Sequence, residues 1–446
     1  MPKPLAKFHR RWMVFAITFV AYITYLLTSA DRTFWNDAGA YWSSVNSYSL
    51  NEYALSYRGY SFPYLCFLIR RFGAWSHSDP LIVFWTASSI GMATLGAIIV
   101  PSLVEATVPA CKPGFWQIAA FNLLVFLFFR GYSSYPLTDM PAVGALLTAI
   151  WLSKYSVFGL MPGIMLGLAV NFRPVYFIAA FPVSFLVFRR VRLLWRNESR
   201  KGAVAHCLGF LIGLSVILGP QVYVNKHNFG RIALMPPTEI TYAGGLYLYQ
   251  LQIGIGMQKV EGNVGDKYPD PLVNFMDPTA KVLGASNKVD TYVQVLKLYA
   301  KHPIEFVTIY TRHVFNGLDV KFPTVYLKNP YVKNWWLSLL NYSVIFVFLS
   351  VGRNVFRLQV ERTKLIAVLA APILVTMAAI PTRIEVRYFI PFHFLMYAVV
   401  TMGGSAGSCR WKWTMSRAVM FVAFLAVCCT LSEDAYASMY FPNIAP

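Results

Sequence analysis

Ten charged residues stand where apolar stretches of this sequence end. They are Asp31, Asp37, Glu52 and Arg58, then Arg130 and Asp139 in RGYSSYPLTDMPA, Arg173 in NFRP, and Arg383, Glu385 and Arg387 in PTRIEVRY. Charge held close to a bilayer is expensive, so ionisable residues kept there are candidates for function. Arginines and carboxylates of this kind suit the transfer of a group away from a phosphate. Guanidinium groups meet phosphate oxygens as a planar fork and neutralise the charge of the leaving group. Phosphate leaves readily, so no general acid is needed. An attacking hydroxyl needs a base, and one carboxylate suffices. If the phosphate leaves a sugar's anomeric carbon, one direct displacement inverts that centre. Retention would need a second, closely placed carboxylate as nucleophile.

The elements that must position these residues are membrane helices. Of 446 residues, 57% are hydrophobic and 13% charged, and mean hydropathy is +0.50. Soluble domains carry about 25% charged residues. A spanning helix needs about 20 mostly apolar residues. Eleven candidates follow: 12–28, 80–104, 115–129, 141–152, 157–170, 174–188, 203–222, 334–351, 364–380, 387–402 and 415–432. The expected fold is an all-α integral membrane protein. It has a large first external loop (29–79) and a long external loop (223–333) between spans 7 and 8. The organisation expected is an N-terminal module 1–222, the loop 223–333 and a C-terminal membrane module 334–446.

Charge sets the orientation. Lys3, Lys7, Arg10 and Arg11 precede the first span, which predicts a cytoplasmic N-terminus and an uncleaved anchor. Threaded alternately, the cytoplasmic stretches 105–114, 153–156, 189–202, 352–363 and 403–414, with the tail and flanking positions, hold nineteen Lys and Arg against eight in the short external segments. The long loop is left out, because long loops translocate regardless of charge. The basic run at 189–201 reads as a stop signal at an anionic leaflet. The net charge of +20 therefore belongs to membrane topology and predicts no nucleic-acid partner. Within the first loop, 63–73 has an apolar face with basic residues and suits the interface. The long loop predicts an amphipathic helix broken at Pro303. The six cysteines, at 66, 111, 207, 409, 428 and 429, show no metal spacing and no disulfide framework.

These residues resemble the GT-C superfamily of polytopic glycosyltransferases, which includes protein O-mannosyltransferases and the aminoarabinose transferase of lipid A. Four elements carry the resemblance. Asp37 lies in WNDAGAYW with Tyr41 in a D-x-x-x-Y pattern. RGYSFPYL, with Arg58 and Pro63, follows before an amphipathic helix. Asp139 in LTDMPA opens the fourth span. Arg387 and Tyr388 start RY-x-x-P before a late span. The resemblance covers roughly residues 1–190 and 380–400. It implies a base role for Asp37 and donor-phosphate binding by Arg387, with Arg383 and Arg58. Its motifs include Asp139, Tyr41 and Tyr388 as further site candidates, and the placement of charged and titratable residues adds Glu385, Arg173 and His313. It also implies a polyprenyl-phosphate sugar donor and a glycan or glycolipid acceptor such as O-antigen or lipid A. The reaction would proceed at the periplasmic face of a bacterial inner membrane. Some relatives use a divalent ion, here one that Asp37 or Asp139 would hold. Asn36-Asp37 stands where the commonest pattern has Asp-Glu, and this leaves Asp31 as an alternative base.

Each assignment has a plainer counterpart. Asp37 and Asp139 also read as helix caps, with Pro141 at an early helical position. Arg387 also reads as an interfacial arginine paired with Glu385, Arg58 as one partner of a loop ion pair, and Arg173 as a helix-end charge. His313 and His302 also read as packed or solvated, and no spacing resembles a defined metal site. The competing function is a transporter or flippase of a lipid-linked saccharide. Transporters favour internal repeats and ionisable groups at mid-membrane, whereas the charges here gather at span ends.

Overall fold

The computed structural model describes residues 3–156, 158–197, 199–283, 289–355, 362–403 and 414–440. Most of the two cytoplasmic stretches expected at 352–363 and 403–414, and Cys409, lie outside the described residues. Each of the eleven apolar segments falls on a helix. The first is α1 (Lys3–Ser29). The first loop adds the short α2 (Asn36–Ser43) and α3 (Ser61–Trp75). Next, α4 (Pro80–Thr94) and α5 (Val100–Thr107) run on as one 28-residue rod through a single π turn. Then come α6 (Phe115–Phe129), α7 (Asp139–Tyr155), α8 (Leu160–Phe172), α9 (Ala180–Asn197) and α10 (Arg200–Phe229).

The long loop is not purely helical. It holds α11 (Leu246–Gly256), α12 (Tyr292–Lys301) and α13 (Pro303–Leu318). Between and after these lies a small sheet of order β2-β1-β3. Strand β1 (Met257–Asn263) runs antiparallel to β2 (Leu272–Met276) and parallel to β3 (Tyr326–Leu327). This adds strands to the expected all-α fold. Neither β1 nor β2 shows apolar alternation, and pairing is set by contacts distant in sequence. The expected break at Pro303 is present: α13 starts there, where a missing N–H costs nothing. The C-terminal part comprises α14 (Trp335–Val355), α15 (Arg362–Ala379), α16 (Ile390–Met402) and α17 (Met415–Ala437).

Among the described residues, six helices are long and apolar enough to cross a membrane: His9–Ser29, Pro80–Thr107, Phe115–Ser133, Arg200–Phe229, Trp335–Gly352 and Met415–Ala437. Their apolar side chains also face outward. Leu208, Leu211, Ile212 and Val216 on α10 are about half exposed, as are Val419, Met420, Val422 and Val427 on α17. Apolar faces this extensive belong against lipid rather than water. The chain is a membrane protein by these features. Helix α3 lays Phe62, Cys66 and Phe67 on the core and turns Leu65, Leu68, Phe72 and Trp75 outward.

The pair α8 and α10 packs backbone to backbone through glycines. A Cβ on Gly163 would lie 2.2 Å from the Phe210 carbonyl oxygen, and one on Gly213 would lie 2.1 Å from that of Leu160. Small residues allow this approach, which replaces hydrophobic driving force with close van der Waals contact. The contact matters for function because the end of α8 carries Asn171 and leads into Arg173. Asn171 Nδ2 donates to Gln221 Oε1 of α10 at 2.8 Å, and its Oδ1 accepts from the Ser61 amide at 3.0 Å. Gly213→Val is therefore expected to force the helices apart and destabilise the protein by about 3 kcal/mol, the upper range for overpacking. Gly219→Val, with nothing within 4 Å of its Cβ, is the control. Equal melting temperatures of the two variants in detergent would refute this account.

Loops 29–79, 130–139, 173–180, 223–334 and 380–390 all emerge at one end of the bundle. The segment 223–334 is clamped there to α14 and α17. Asp319 accepts from Tyr342 Oη at 2.7 Å and from Ser432 Oγ at 2.6 Å, and the Lys321 ammonium lies 3.7 Å from the Tyr436 ring centre. Burial pushes that ammonium down to about 8.

Candidate active site

Asp37 lies in the first turn of α2 but does not cap it. The cap position is Trp35, with no side-chain cap bond. Asn36 before it adopts a left-handed φ of 47°. Asparagine tolerates that region better than most residues because its short amide bonds locally. This is a physical reason for Asn at the position where a second acid was the commoner expectation. The turn directs Asp37 inward, where its Oδ1 accepts from Arg58 Nη2 at 2.7 Å and its Oδ2 lies 3.5 Å from Arg387 Nη2. The Arg58 guanidinium also stacks over the rings of Tyr57 (5.0 Å) and Tyr41 (5.6 Å).

Asp139 is likewise not a cap, since Thr138 holds that position. Its Oδ1 pairs with Arg173, and its Oδ2 lies 4.0 Å from Arg387 Nη1. Arg387 sits in a single 3₁₀ turn, Val386–Phe389, just before α16. Its Nε lies 2.7 Å from Glu385 Oε2. Glu385 Oε1 also accepts from Arg383 at 2.9 Å and from the Tyr388 hydroxyl at 3.0 Å. The Tyr388 ring carries the guanidinium of Arg173 at 5.0 Å and that of Arg387 at 5.6 Å. One guanidinium, Arg387, thus faces three carboxylates drawn from three separate parts of the chain.

The cluster holds four arginines and three carboxylates, an excess of one positive charge. Its members differ in access. The Asp37 side chain is 28% exposed, against 2% for Asp139 and 9% for Glu385. Asp37 is therefore the carboxylate most open to solvent, and the other two hold arginines in place. Burial alone would raise the Asp37 carboxyl, but Arg58 and Arg387 outweigh it and hold the group well below the usual carboxylate range. Glu385 is also lowered, its burial outweighed by Arg387 and Arg383. Three polar atoms of the cluster, Asp139 Oδ2, Arg383 Nε and Arg387 Nε, are buried without a hydrogen-bond partner among the described residues. Such atoms are rare in native structures; here Asp139 Oδ2 and Arg387 Nε each face an opposite charge, at 4.0 Å and 2.7 Å.

Two cavities flank the cluster. One, of about 490 Å³, is lined by Tyr41, Arg58, Arg173, Tyr388, Thr382 and Gln250 among others. The second, of about 410 Å³, is largely apolar and includes Phe62, Tyr132, Tyr135 and Met140. Phe172 lines both. Asp37, Tyr41, Arg58, Asp139, Arg173, Arg383, Glu385, Arg387 and Tyr388 are brought together.

Asp31, Arg130 and His313 are not part of this cluster. Asp31 accepts from Lys328 Nζ at 2.6 Å and Tyr135 Oη at 2.8 Å, so the alternative base is held elsewhere. Arg130 stacks on Tyr25 and donates to the Leu127 carbonyl. His313 is buried with its ring between the carbonyls of Ile380 (2.6 Å) and Met257 (3.0 Å), which ties the long loop to the Arg387 segment. Arginines already occupy carboxylate oxygens of Asp37 and Asp139, and no group of three His, Cys, Asp or Glu able to hold a metal occurs among the described residues. These residues do not fit a metal.

Sequence reasoning missed β1. Lys259 and Glu261 form a buried pair at 2.6 Å, and the Glu261 carboxyl is raised by burial despite that lysine, with Glu385 a nearby like charge. The segment MQKVEGN reads as ordinary polar loop, and no local signal marks it. Tyr326 was missed too; its hydroxyl donates to the Trp35 carbonyl at 3.1 Å and steadies the turn that carries Asp37. Set beside known proteins, the chain matches no family model, no curated protein and no solved structure.

Proposed function

We propose that the chain is a membrane glycosyltransferase of GT-C type. It moves a monosaccharide from a polyprenyl-phosphate donor to a cell-envelope glycan or lipid acceptor, such as O-antigen or lipid A, by one inverting displacement. The observation that carries this reading is the meeting of accessible Asp37 with Arg58 and Arg387 beside a 490 Å³ cavity. The donor phosphate takes the guanidinium groups of Arg387 and Arg58, with Arg173 and Arg383 beside them. The acceptor oxygen attacks the anomeric carbon, Asp37 accepts its proton, and the bond from that carbon to the phosphate oxygen breaks. Polyprenyl phosphate departs with both bonding electrons and is neutralised by the arginines. Glu385 and Asp139 position those arginines.

The resting Asp37 is a weak base because two arginines hold its charge. A phosphate that draws Arg58 and Arg387 to itself weakens that hold and raises the proton affinity of Asp37 when the acceptor arrives. In this reading all eleven helical segments cross a bacterial inner membrane, with a cytoplasmic N-terminus and the cluster at the periplasmic face. Basic residues at the opposite end of the bundle, Arg11, Lys154, Arg189, Arg190 and Lys364, support that orientation.

The test is transfer by the purified protein from a panel of labelled polyprenyl-phosphate sugars to extracted envelope glycolipids. Failure with every donor, alongside passage of a lipid-linked saccharide across vesicles, would leave the carrier reading in its place. A pH profile adds a second check. The folded value of Asp37 lies below its unfolded value of about 4, so its pairing stabilises the fold above that pH and is lost as pH falls through the lower folded value. The free enzyme's kcat/KM is accordingly expected to show no acidic limb near pH 4. An inflection there in wild type would place the base on an unclamped carboxylate.

A further inference from the structure

We propose that the helical hairpin α12–α13 docks into the lipid leaflet on the cluster's side of the membrane, with anionic headgroups on Lys297 and Lys301. The inference is independent of the reaction proposed above. It starts from α13, which is apolar on two faces. Phe306, Ile309, His313 and Gly317 are buried. Ile304, Val307, Thr311 and Val314 form a second stripe, at i, i+3, i+7 and i+10, and it is exposed. Ile304 is 78% exposed and Val307 66%. The Thr308 hydroxyl donates to the Ile304 carbonyl at 2.9 Å, and the Thr311 hydroxyl to the Val307 carbonyl at 2.7 Å. Both hydroxyls are thus satisfied within the helix and need no water. On α12, Val293, Leu296 and Ala300 share an exposed face with Lys297 and Lys301 at its border. An exposed apolar surface of this extent marks a place where something docks.

Depth and charge identify the occupant as lipid. The C-terminal end of α13 is sunk among the membrane helices. The Leu318 carbonyl accepts from Asn341 Nδ2 at 2.6 Å, and the Phe315 ring stacks on Tyr342 with centres 6.3 Å apart. Both partners lie on α14, which is long and apolar enough to cross a membrane. Asn341 stands about 9 Å along α14 from its end at Trp335, at the helical rise. On the other side, the Gly317 carbonyl lies 3.3 Å from His393 Nε2 of α16. Val314 comes one turn before this point and is exposed, so hydrocarbon is what it meets. From there the stripe runs about 15 Å to Ile304, and Lys301 and Lys297 follow beyond it. No carboxylate occurs on α12, and Glu305 on α13 lies 3.9 Å from His302. Apolar side chains at depth with lysines at the shallow end match a leaflet that carries anionic headgroups.

The test is photocrosslinking of the full-length protein in nanodiscs of equimolar phosphatidylglycerol and phosphatidylcholine. A benzophenone amino acid is placed at Val307, at Leu211 on the exposed side of α10, and at Lys267 in the charged turn between β1 and β2. Adducts are identified by mass. Val307 is expected to give lipid adducts at a yield close to that of Leu211, and Lys267 to give none. At Val307, phosphatidylglycerol adducts are expected to outnumber phosphatidylcholine adducts roughly five-fold, the scale of one basic residue at an anionic surface. The double variant Lys297→Gln, Lys301→Gln is expected to bring that ratio to about one, with both lysine contributions removed. Adducts joining two copies of the chain would give the stripe to a second copy and overturn the proposal. So would the lack of any adduct at Val307 beside a labelled Leu211, or equal lipid yields at Val307 and Lys267. A headgroup preference unchanged in the folded double variant would overturn the part assigned to the lysines. Should that variant fail to fold, Val307 against Lys267 still decides whether the hairpin meets lipid, because each probe replaces only an exposed side chain.

Discussion

Replacing Arg387 with alanine is expected to abolish sugar transfer and to destabilise the protein by about 3–5 kcal/mol, the usual cost of removing one partner from a buried ion pair. Arg387 is 8% exposed and stands 2.7 Å from Glu385, 3.5 Å from Asp37 and 4.0 Å from Asp139. Without it, two deeply buried carboxylates keep only Arg383 and Arg173, and the donor phosphate loses its central contact. Arg387→Lys separates the two losses. It keeps a positive charge near the carboxylates but cannot present a planar fork to Glu385 and a phosphate at once. The lysine variant is expected to recover most of the melting temperature while transfer stays at least a hundred-fold down, roughly the weight of one preorganised electrostatic contact. An alanine variant with wild-type kcat/KM would remove Arg387 from the reaction.

Asp37→Asn is expected to lower kcat by about 10²–10⁴, the typical contribution of a positioned general base, while the protein stays folded. Asparagine keeps the shape and can still accept from Arg58, but it cannot take the acceptor's proton. Its effect on donor binding runs the other way. The carboxylate competes with phosphate for Arg58 and Arg387, so its neutralisation frees both, and donor affinity is expected to hold or rise. Asp139→Asn provides the contrast. Asp139 is 2% exposed and holds Arg173, so its loss is expected to weaken donor binding and stability more than turnover. The split is read from kcat and donor dissociation constants measured on the same preparations. Full turnover in Asp37→Asn would end its assignment as base and return attention to the remaining carboxylates.

The helical framework was largely legible in the sequence. An apolar run of span length can bury its backbone polar groups only by forming a helix, so the six helices long enough to cross a membrane announce themselves without reference to one another. Lys and Arg at alternate ends then put the loops 29–79, 130–139, 173–180, 223–333 and 380–390 on one side. With the sides assigned, Asp37, Asp139 and Arg387 had to be near one another in depth. The strands β1 and β2 were not legible, because a polar segment such as MQKVEGN becomes a buried strand only when distant residues pair with it. The Lys259–Glu261 pair was hidden for the same reason.

What the sequence by itself determined is the membrane class, the helices, the common side of the charged residues and the kinds of chemistry that arginine and carboxylate support. Only the tertiary structure decided how those charges divide the work. Asp37 and Arg387 meet across 350 positions of sequence, and Asp31, six residues before Asp37, is drawn off by Lys328 and Tyr135. Local sequence sets where a side chain enters the membrane surface. Which opposite charge it then finds, and how much solvent remains to it, depends on packing among helices that are far apart along the chain. That packing leaves Asp37 reachable while it buries Asp139 and Glu385 behind their arginines.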